Sequence, residues 1–364
     1  MNRTVVVVGG GYGGSLVAKA LDAEADVILI DPREAFANAA AALRALTQPD
    51  WAPNAFFGFE TLLERGRVIR DRVVTVDPRG VTLASGARVE ADYLVLATGS
   101  DYTYPAKPNP ASTSIAEQLE DLRATHKELA GADRVLILGA GPVGLELAGE
   151  IKQVWPDKHV TVVDRNDQLL SGFLPEVRQD LRRQLDALGV ALHLGTGLTA
   201  GPPIEAGRAG RFTVTTDNGD EIAADIWFRA FGVRINTDYL ADGRLTQLTE
   251  QATVPVTERL NVRGYERVYA IGDITALSDP KMASYAMTQA EVVVRNIRAQ
   301  LAGDQPDAVH TPTPERRILL PLGTRGGVGQ LPTPDGAAAA SPATVYERKG
   351  ADLFTARFAE RFNS

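Results

Sequence analysis

The sequence predicts an α/β fold: two Rossmann-like units in one chain, followed by a small α+β unit. Three observations predict it. An apolar strand, a glycine turn and a helix start occur twice, at Val5-Val6-Val7-Val8-Gly9-Gly10-Gly11-Tyr12-Gly13-Gly14 and at Val135-Leu136-Ile137-Leu138-Gly139-Ala140-Gly141-Pro142-Val143-Gly144. Each copy leads to a second apolar strand that ends on an aspartate, Asp31 and Asp164. Each half then runs through a meander of short strands to an apolar strand closing on glycine, at Gly99 and Gly232.

The elements follow in order. A strand from about Thr4 meets the first glycine turn, a helical stripe covers Leu16 to Leu21, and a strand spans Asp26 to Ile30. Alanine content predicts a helix from about Ala35 to Leu46, broken by Pro49, Pro53 and Asn54. Turn signals between short β-rich runs predict an antiparallel meander from Arg67 to Val89, feeding the strand Tyr93 to Gly99. Pro105, Pro108 and Pro110 mark a linker. The pattern then returns: a helix from about Ile115 to Leu129, a strand over 134–138, a helix to about Lys152 and a strand from His159 to Val163. A helix from Pro175 to Leu188 and a hairpin at Asn218-Gly219 lead to the strand from Ile226. After about Val254 the chain returns to the first unit through a strand ending in Gly272-Asp273, then a helix from about Met282 to Leu301. Strands Ile318 to Leu322 and Gly327 to Leu331 make the third unit, with Ala337 to Ala340 read as a mobile loop.

Composition narrows the function. Of 364 residues, 44% are apolar and 23% charged, as in ordinary soluble domains. No apolar run is long enough to span a bilayer. A strand from about Thr4 leaves no room for a signal peptide, and Asn2 stands where a myristoylation signal needs glycine, so a cytoplasmic location is expected. The net charge of −8 argues against a nucleic-acid surface. The absence of cysteine excludes disulfides, thiolate nucleophiles, iron–sulfur clusters and thiolate zinc sites. His126, His159, His193 and His310 are scattered, so no metal site is expected.

The glycines have separate tasks. Gly9 permits a tight turn, Gly11 lets backbone approach a pyrophosphate, and Gly14 lets helix pack on strand, with Gly10 and Gly13 completing the loop. The helix N-terminus offers free N–H groups to the diphosphate, and Asp31 offers acceptors to a ribose. Gly139, Gly141, Gly144 and Asp164 repeat the arrangement. The Asp164 carboxylate favours NADH because it repels a 2′-phosphate, while Arg165 beside it keeps NADPH open. Glu146 and Glu150 read either as a solvated helix face or, for Glu146, as a group near the nicotinamide. Gly272-Asp273 reads either as a capped turn or as a carboxylate for a polyol hydroxyl. Residues 280–290 then open a helix whose N–H groups suit the negative charge of a reduced flavin.

Together, Gly9 to Gly14, Asp31, Ala97-Thr98-Gly99, Gly139 to Gly144 and Gly272-Asp273 resemble the two-dinucleotide flavoprotein reductases of glutathione-reductase-like architecture. Ala41-Ala42-Leu43-Arg44-Ala45, Glu150-Ile151-Lys152, Pro280-Lys281-Met282-Ala283 and Gly327-Val328-Gly329-Gln330 are most similar to the apoptosis-inducing-factor-homologous, ferroptosis-suppressor-type branch, from about Thr4 to Phe354. The resemblance implies an FAD-binding domain over 1–110 and 251–302, an NAD(P)H-binding domain over 111–250 and a C-terminal interface domain over 303–364. It implies that Arg44, the Val73 backbone and Asp273 contact FAD, that Met282 and Ala283 sit at the isoalloxazine, and that Glu146 and Lys281 lie near nicotinamide and flavin. Gly232, which ends the second unit's last strand, is expected among the cofactor-binding residues. The implied activity is NAD(P)H oxidation with electrons passed to a quinone-type acceptor.

Other readings share the cofactors. A ferredoxin- or rubredoxin-type reductase differs in acceptor, and a redox-sensing flavoprotein differs in having little turnover. Monomer and homodimer both remain open. Leu353, Phe354, Phe358 and Phe362, with Arg357 and Arg361 between, read first as a helix closing the interface domain. The alternative is a helix at a membrane surface or quinone entrance, which would add peripheral contact at the inner face of the membrane.

Overall fold

The computed structural model describes residues 3–313 and 316–363. Five parallel strands form the first sheet, in the order 268–270, 93–96, 4–8, 26–30 and 67–69. Val5, Val6, Val7, Leu29, Leu94, Val95 and Leu96 are all fully buried, as a sheet covered on both faces requires. Helix α1 (Tyr12–Leu21) joins the first two strands and buries Val17, Ala18 and Leu21.

Two local expectations change here. Arg67–Ile69 pairs in parallel with Asp26–Ile30, so the antiparallel meander starts only at Val73, with strands 73–77, 80–83 and 88–90. The alanine-rich stretch is not one helix. Ala35–Ala37 is a strand paired with Phe56–Gly58, and helix α2 is confined to Ala42–Thr47. Phe36 explains the difference. It is 2% exposed and packs on Tyr12, Phe57, Phe358 and Phe362, and burying an aromatic ring outweighs alanine's helix preference.

Helix α3 (Ile115–Gly131) starts with a capping box between Ser114 and Glu117. The second parallel sheet has the order 190–194, 159–164, 134–138 and 226–229, with helices α4 (Pro142–Val154) and α5 (Pro175–Ala187) between its strands. The Asn218-Gly219 hairpin forms, Gly219 taking φ +90°. The strand 268–270 then joins the first sheet beside 93–96, and helix α6 (Ala283–Ala302) packs on α1.

The last unit is an antiparallel sheet of 318–322, 326–333 and 336–340. Ala337 to Ala340 is thus a paired strand rather than a loop. Short side chains suit it: a Cβ on Gly329 would stand 2.9 Å from the Ala340 methyl, so this edge leaves little room. After α7 (Pro342–Val345) and a wide turn over 346–350, Leu353 and Phe354 take φ +54° and +66° and redirect the chain into α8 (Thr355–Phe362).

Helix α8 does not close the C-terminal sheet. Phe358 and Phe362 are 1% and 0% exposed and enter the core of the first unit, with Phe362 stacked on Phe36 at 5.4 Å. Arg361 donates to Tyr12 O at 3.0 Å and Ser15 Oγ at 3.1 Å. The apolar side of the helix is therefore taken up by protein. Among the described residues no helix is long and apolar enough to cross a membrane. Phe362→Ala is expected to lower stability by about 3–5 kcal/mol in urea unfolding, because it opens a cavity inside this aromatic cluster.

Candidate functional site

The two glycine turns superimpose in their chemistry. A Cβ on Gly9 would lie 2.6 Å from Ala97 O, and one on Gly139 2.7 Å from Ala230 O. A Cβ on Gly14 would meet Gly9 O at 1.9 Å, and one on Gly144 would meet Gly139 O at 2.0 Å. These glycines exist because helix and strand backbones touch. Gly11 and Gly141 differ: an added Cβ there meets no protein atom within 4 Å. Each is the N-cap of its helix, with φ −69° and −72°, no capping side chain and no acidic residue in the first turn. Both helices thus present uncapped N–H groups and positive potential behind a side-chain-free approach, which suits a diphosphate.

The acids complete each turn the same way. Asp31 Oδ2 accepts the Gly10 N–H at 2.8 Å, and Asp164 Oδ2 accepts the Ala140 N–H at 2.6 Å. Asp31 is 2% exposed and pairs with Arg33, whose backbone N–H and Nε reach Oδ1. Asp164 is half-buried, and its Oδ1 takes both the backbone and side-chain N–H groups of Asn166. A carboxylate has about four acceptor sites. Asp164 accepts three hydrogen bonds and keeps one site for a ribose hydroxyl. Asp31 accepts four, one from Gly10 and three from Arg33, so a ribose hydroxyl there takes the place of an Arg33 side-chain N–H. Gly13 serves packing instead: a Cβ there would meet Ile271 at 2.9 Å and Ala286 O at 3.0 Å, and the second turn carries Val143 at that place.

More groups gather around the first turn. Ala97 is 8% exposed, Thr98 Oγ1 donates to Asn236 O at 2.6 Å, and Gly99 O accepts the Asn236 N–H at 3.0 Å. Gly272 takes φ +76°, and Asp273 Oδ2 accepts Ser100 Oγ–H at 2.5 Å. Lys107 donates to the carbonyl and hydroxyl of Ser100; burial lowers its pKa, and Asp273 opposes that shift. Met282 is the N-cap of α6 and Ala283 its first residue. Val73 is buried opposite Leu83. In the second unit, Gly232 takes φ +90° beside the Arg229 guanidinium.

Charged side chains from three parts of the chain meet beside these turns. Arg44 of α2 holds Glu150 of α4 in an ion pair of 2.9 Å, with side chains 3% and 4% exposed. The same guanidinium donates to Ala351 O at 3.2 Å and lies 5.6 Å from the Trp51 ring centre. Any flavin contact by Arg44 comes on top of that ion pair. Lys349 meets Glu146 Oε1 at 2.6 Å and also donates to Leu319 O. Burial raises the Glu146 pKa; Lys349 and Arg44 oppose the shift and Glu150 adds to it. Tyr12, whose hydroxyl donates to Asn38 Oδ1, has its pKa raised by burial, with Glu146 and Asp273 contributing. Its phenol therefore stands in the field of both carboxylates.

Glu146 and Lys281 each have a partner of their own. Lys281 Nζ donates to Thr275 O at 2.8 Å; burial lowers its pKa, against Asp273 and Asp279. Sequence reasoning missed Lys349, Lys107, Asn236 and the role of Tyr12. Tyr12 had a signal, its place inside the glycine turn. Lys349 lies 203 residues from Glu146, and no local pattern announces it.

The sequence pattern of the pyridine nucleotide-disulphide oxidoreductase family matches residues 3–290. The chain belongs to that family. It is 34% identical to ferroptosis suppressor protein 1 of Taeniopygia guttata over 90% of this chain and 88% of that protein. It is 30% identical to the FAD-dependent oxidoreductase FVFD30 of Flammulina velutipes over 73% and 81% of the two chains. The fold matches the sulfide:quinone oxidoreductase of Aquifex aeolicus with a TM-score of 0.76, covering 99% of this chain and 91% of that one at 19% identity. The family name refers to a disulfide, and this chain has no cysteine to form one.

The glycine geometry separates two kinds of substitution. Gly11→Ala and Gly141→Ala are expected to keep the wild-type melting temperature and each to lose its own dinucleotide. Gly14→Ala is expected to lose more than about 2 kcal/mol, since its methyl falls on a carbonyl. Calorimetry beside dinucleotide titration checks both. Lys349→Met tests the charge cluster. It removes the cation opposing the rise at Glu146, so the folded pKa moves further above the unfolded one. Stability of that variant should fall, relative to wild type, as pH rises from the ordinary glutamate range toward the raised value. In Glu146→Gln/Lys349→Met the extra slope should vanish, as read by urea unfolding across that range.

Proposed function

We propose that the chain is an FAD-dependent NAD(P)H oxidoreductase that passes electrons to a quinone-type acceptor. One observation carries this reading: two uncapped helix N-termini, each behind a glycine with open space, in a chain without cysteine. FAD, when bound, supplies the two-electron carrier between nicotinamide and acceptor. The first turn suits a retained FAD: α1 receives the diphosphate, Asp31 the ribose, and Asp273 a ribityl hydroxyl. The second suits an exchanging nicotinamide nucleotide, because Asp164 stands half-buried at its rim. The FAD-dependent relative supports the use of FAD.

Glu146 and Lys349 have the chemistry for the acceptor's protons. Reducing a quinone to a quinol consumes protons as well as electrons. A carboxyl whose pKa is raised by burial, with Oε1 accepting from the Lys349 ammonium, can hold a proton at Oε2 and release it. With no cysteine in the chain, no thiol would stand between a bound cofactor and the acceptor. The net charge of −8 disfavours docking of an acidic redox protein, so a small acceptor fits better.

Two measurements test the reading. Steady-state NADH oxidation with quinones, ferredoxin and oxygen should give the highest kcat/KM with a quinone; turnover confined to ferredoxin would reject the acceptor. Wild type should prefer NADH, and Asp164→Ser should shift the NADH-to-NADPH ratio of kcat/KM by about tenfold toward NADPH. An unchanged ratio would show that Asp164 does not read the ribose.

A further inference from the structure

A buried line of hydrogen bonds links the Gly272 turn to a histidine far along the chain. The Gly272 N–H donates to Gln289 Oε1 at 2.7 Å, and Gln289 Nε2 donates to Asp279 Oδ2 at 2.9 Å. His310 Nε2 meets the same Asp279 oxygen at 2.5 Å. Gln289 is 1% exposed, and the His310 and Asp279 side chains are 5% and 3% exposed. A carboxylate oxygen that accepts from Gln289 accepts here too, and the imidazole tautomer that fits the contact carries its hydrogen on Nε2.

The line brackets the segment that faces the first dinucleotide site. Asp273 follows Gly272 directly, and Lys281-Met282-Ala283 follows Asp279 and Pro280. The strap that bears His310 is fixed independently. Asn296 of α6 bonds both the N–H and the carbonyl of Ala308, at 2.9 and 2.8 Å, and the His310 N–H donates to Glu258 O at 2.7 Å. The imidazole is therefore a rigid post, and Asp279 and Gln289 lean on it. Gly272 has φ +76°, a left-handed conformation, and its N–H finds its partner through Gln289.

We propose that His310 is a positioning residue for the flavin, acting through Asp279 and Gln289 on the Gly272-Asp273 turn. The proposal rests on the reading of that turn as the flavin's polyol contact. Without the imidazole N–H, the buried Asp279 carboxylate keeps only Gln289. Its oxygens then draw in water or a proton, and the Gln289 amide is free to rotate away from Gly272. The Asp273 carboxylate keeps its Ser100 contact, but the turn that carries it loses its anchor at the Gly272 N–H, and FAD affinity falls although no residue touching FAD has changed.

The test is the FAD dissociation constant of deflavinated protein, read by quenching of FAD fluorescence, beside the visible circular dichroism of the bound flavin. His310→Phe should weaken FAD about tenfold and alter the dichroism; His310→Gln, which restores an N–H donor, should stay within about threefold of wild type with the native spectrum. Gln289→Met breaks the line at a second place and should weaken FAD by a similar factor, which keeps the test decisive if His310→Phe does not fold. Wild-type affinity in His310→Phe or Gln289→Met, or equal loss in His310→Phe and His310→Gln, would overturn the positioning role. Failure of wild type itself to bind FAD would instead overturn the flavin reading on which it rests.

Discussion

Backbone contact between helix and strand governs this molecule. At Gly9 and Gly14, and again at Gly139 and Gly144, a single methyl group would fall on a carbonyl carbon or oxygen. That closeness sets the helix axis over the strand end, aims its first N–H groups outward, and brings an aspartate from the next strand within bonding distance of the turn. The turn, the acid and the uncapped helix then form one unit suited to an anion and a ribose. The unit occurs twice in equal form, and its surroundings make the copies unequal. Asp31 is sealed by Arg33 and flanked by Thr98-Gly99 and Gly272-Asp273, whereas Asp164 stands at a half-open rim with Asn166.

The charge cluster joins what the glycines leave separate. Arg44, Glu146, Glu150 and Lys349 come from α2, α4 and the turn after α7, so each ion pair ties one part of the chain to another. Two glutamates one helical turn apart repel, and each is matched by a cation from elsewhere. Desolvation offsets much of what such buried pairs gain, so their consequence is geometric more than energetic. Removing one partner strands a buried charge, which fixes the relative placement of the helices. Helix α8 adds an apolar clamp to this junction by inserting Phe358 and Phe362 beside Tyr12 and Phe36.

Both fingerprints were legible because their physics is local: a glycine, a strand and a helix start lie within ten residues. Helix periodicity likewise placed α3 to α6 to within a few residues. What was not legible depended on distant partners. The alanines after Ala35 read as helix because nothing nearby reveals that Phe36 is drawn into an aromatic cluster closed by Phe358 and Phe362. Ala337 to Ala340 read as loop because alanine is a weak strand former, and its pairing depends on the space at Gly329. Phe358 and Phe362 showed the right helical spacing, while the surface they cover lay some 300 positions earlier in the chain. In the site, Asp31 and Asp164 were readable from spacing; Lys349 and the Asp279–His310 contact were not.

In the proposed assignment, two equivalent turns serve as a resident flavin site and an exchanging nicotinamide site. Cofactor release from denatured, as-purified protein, combined with anaerobic NADH titration of the visible spectrum, tests it most directly. About one FAD per chain, no bound NAD, and loss of flavin absorbance with about one NADH per flavin is the expected result. Protein that is colourless and takes up no FAD, or that binds FAD whose absorbance NADH leaves unchanged, would contradict it.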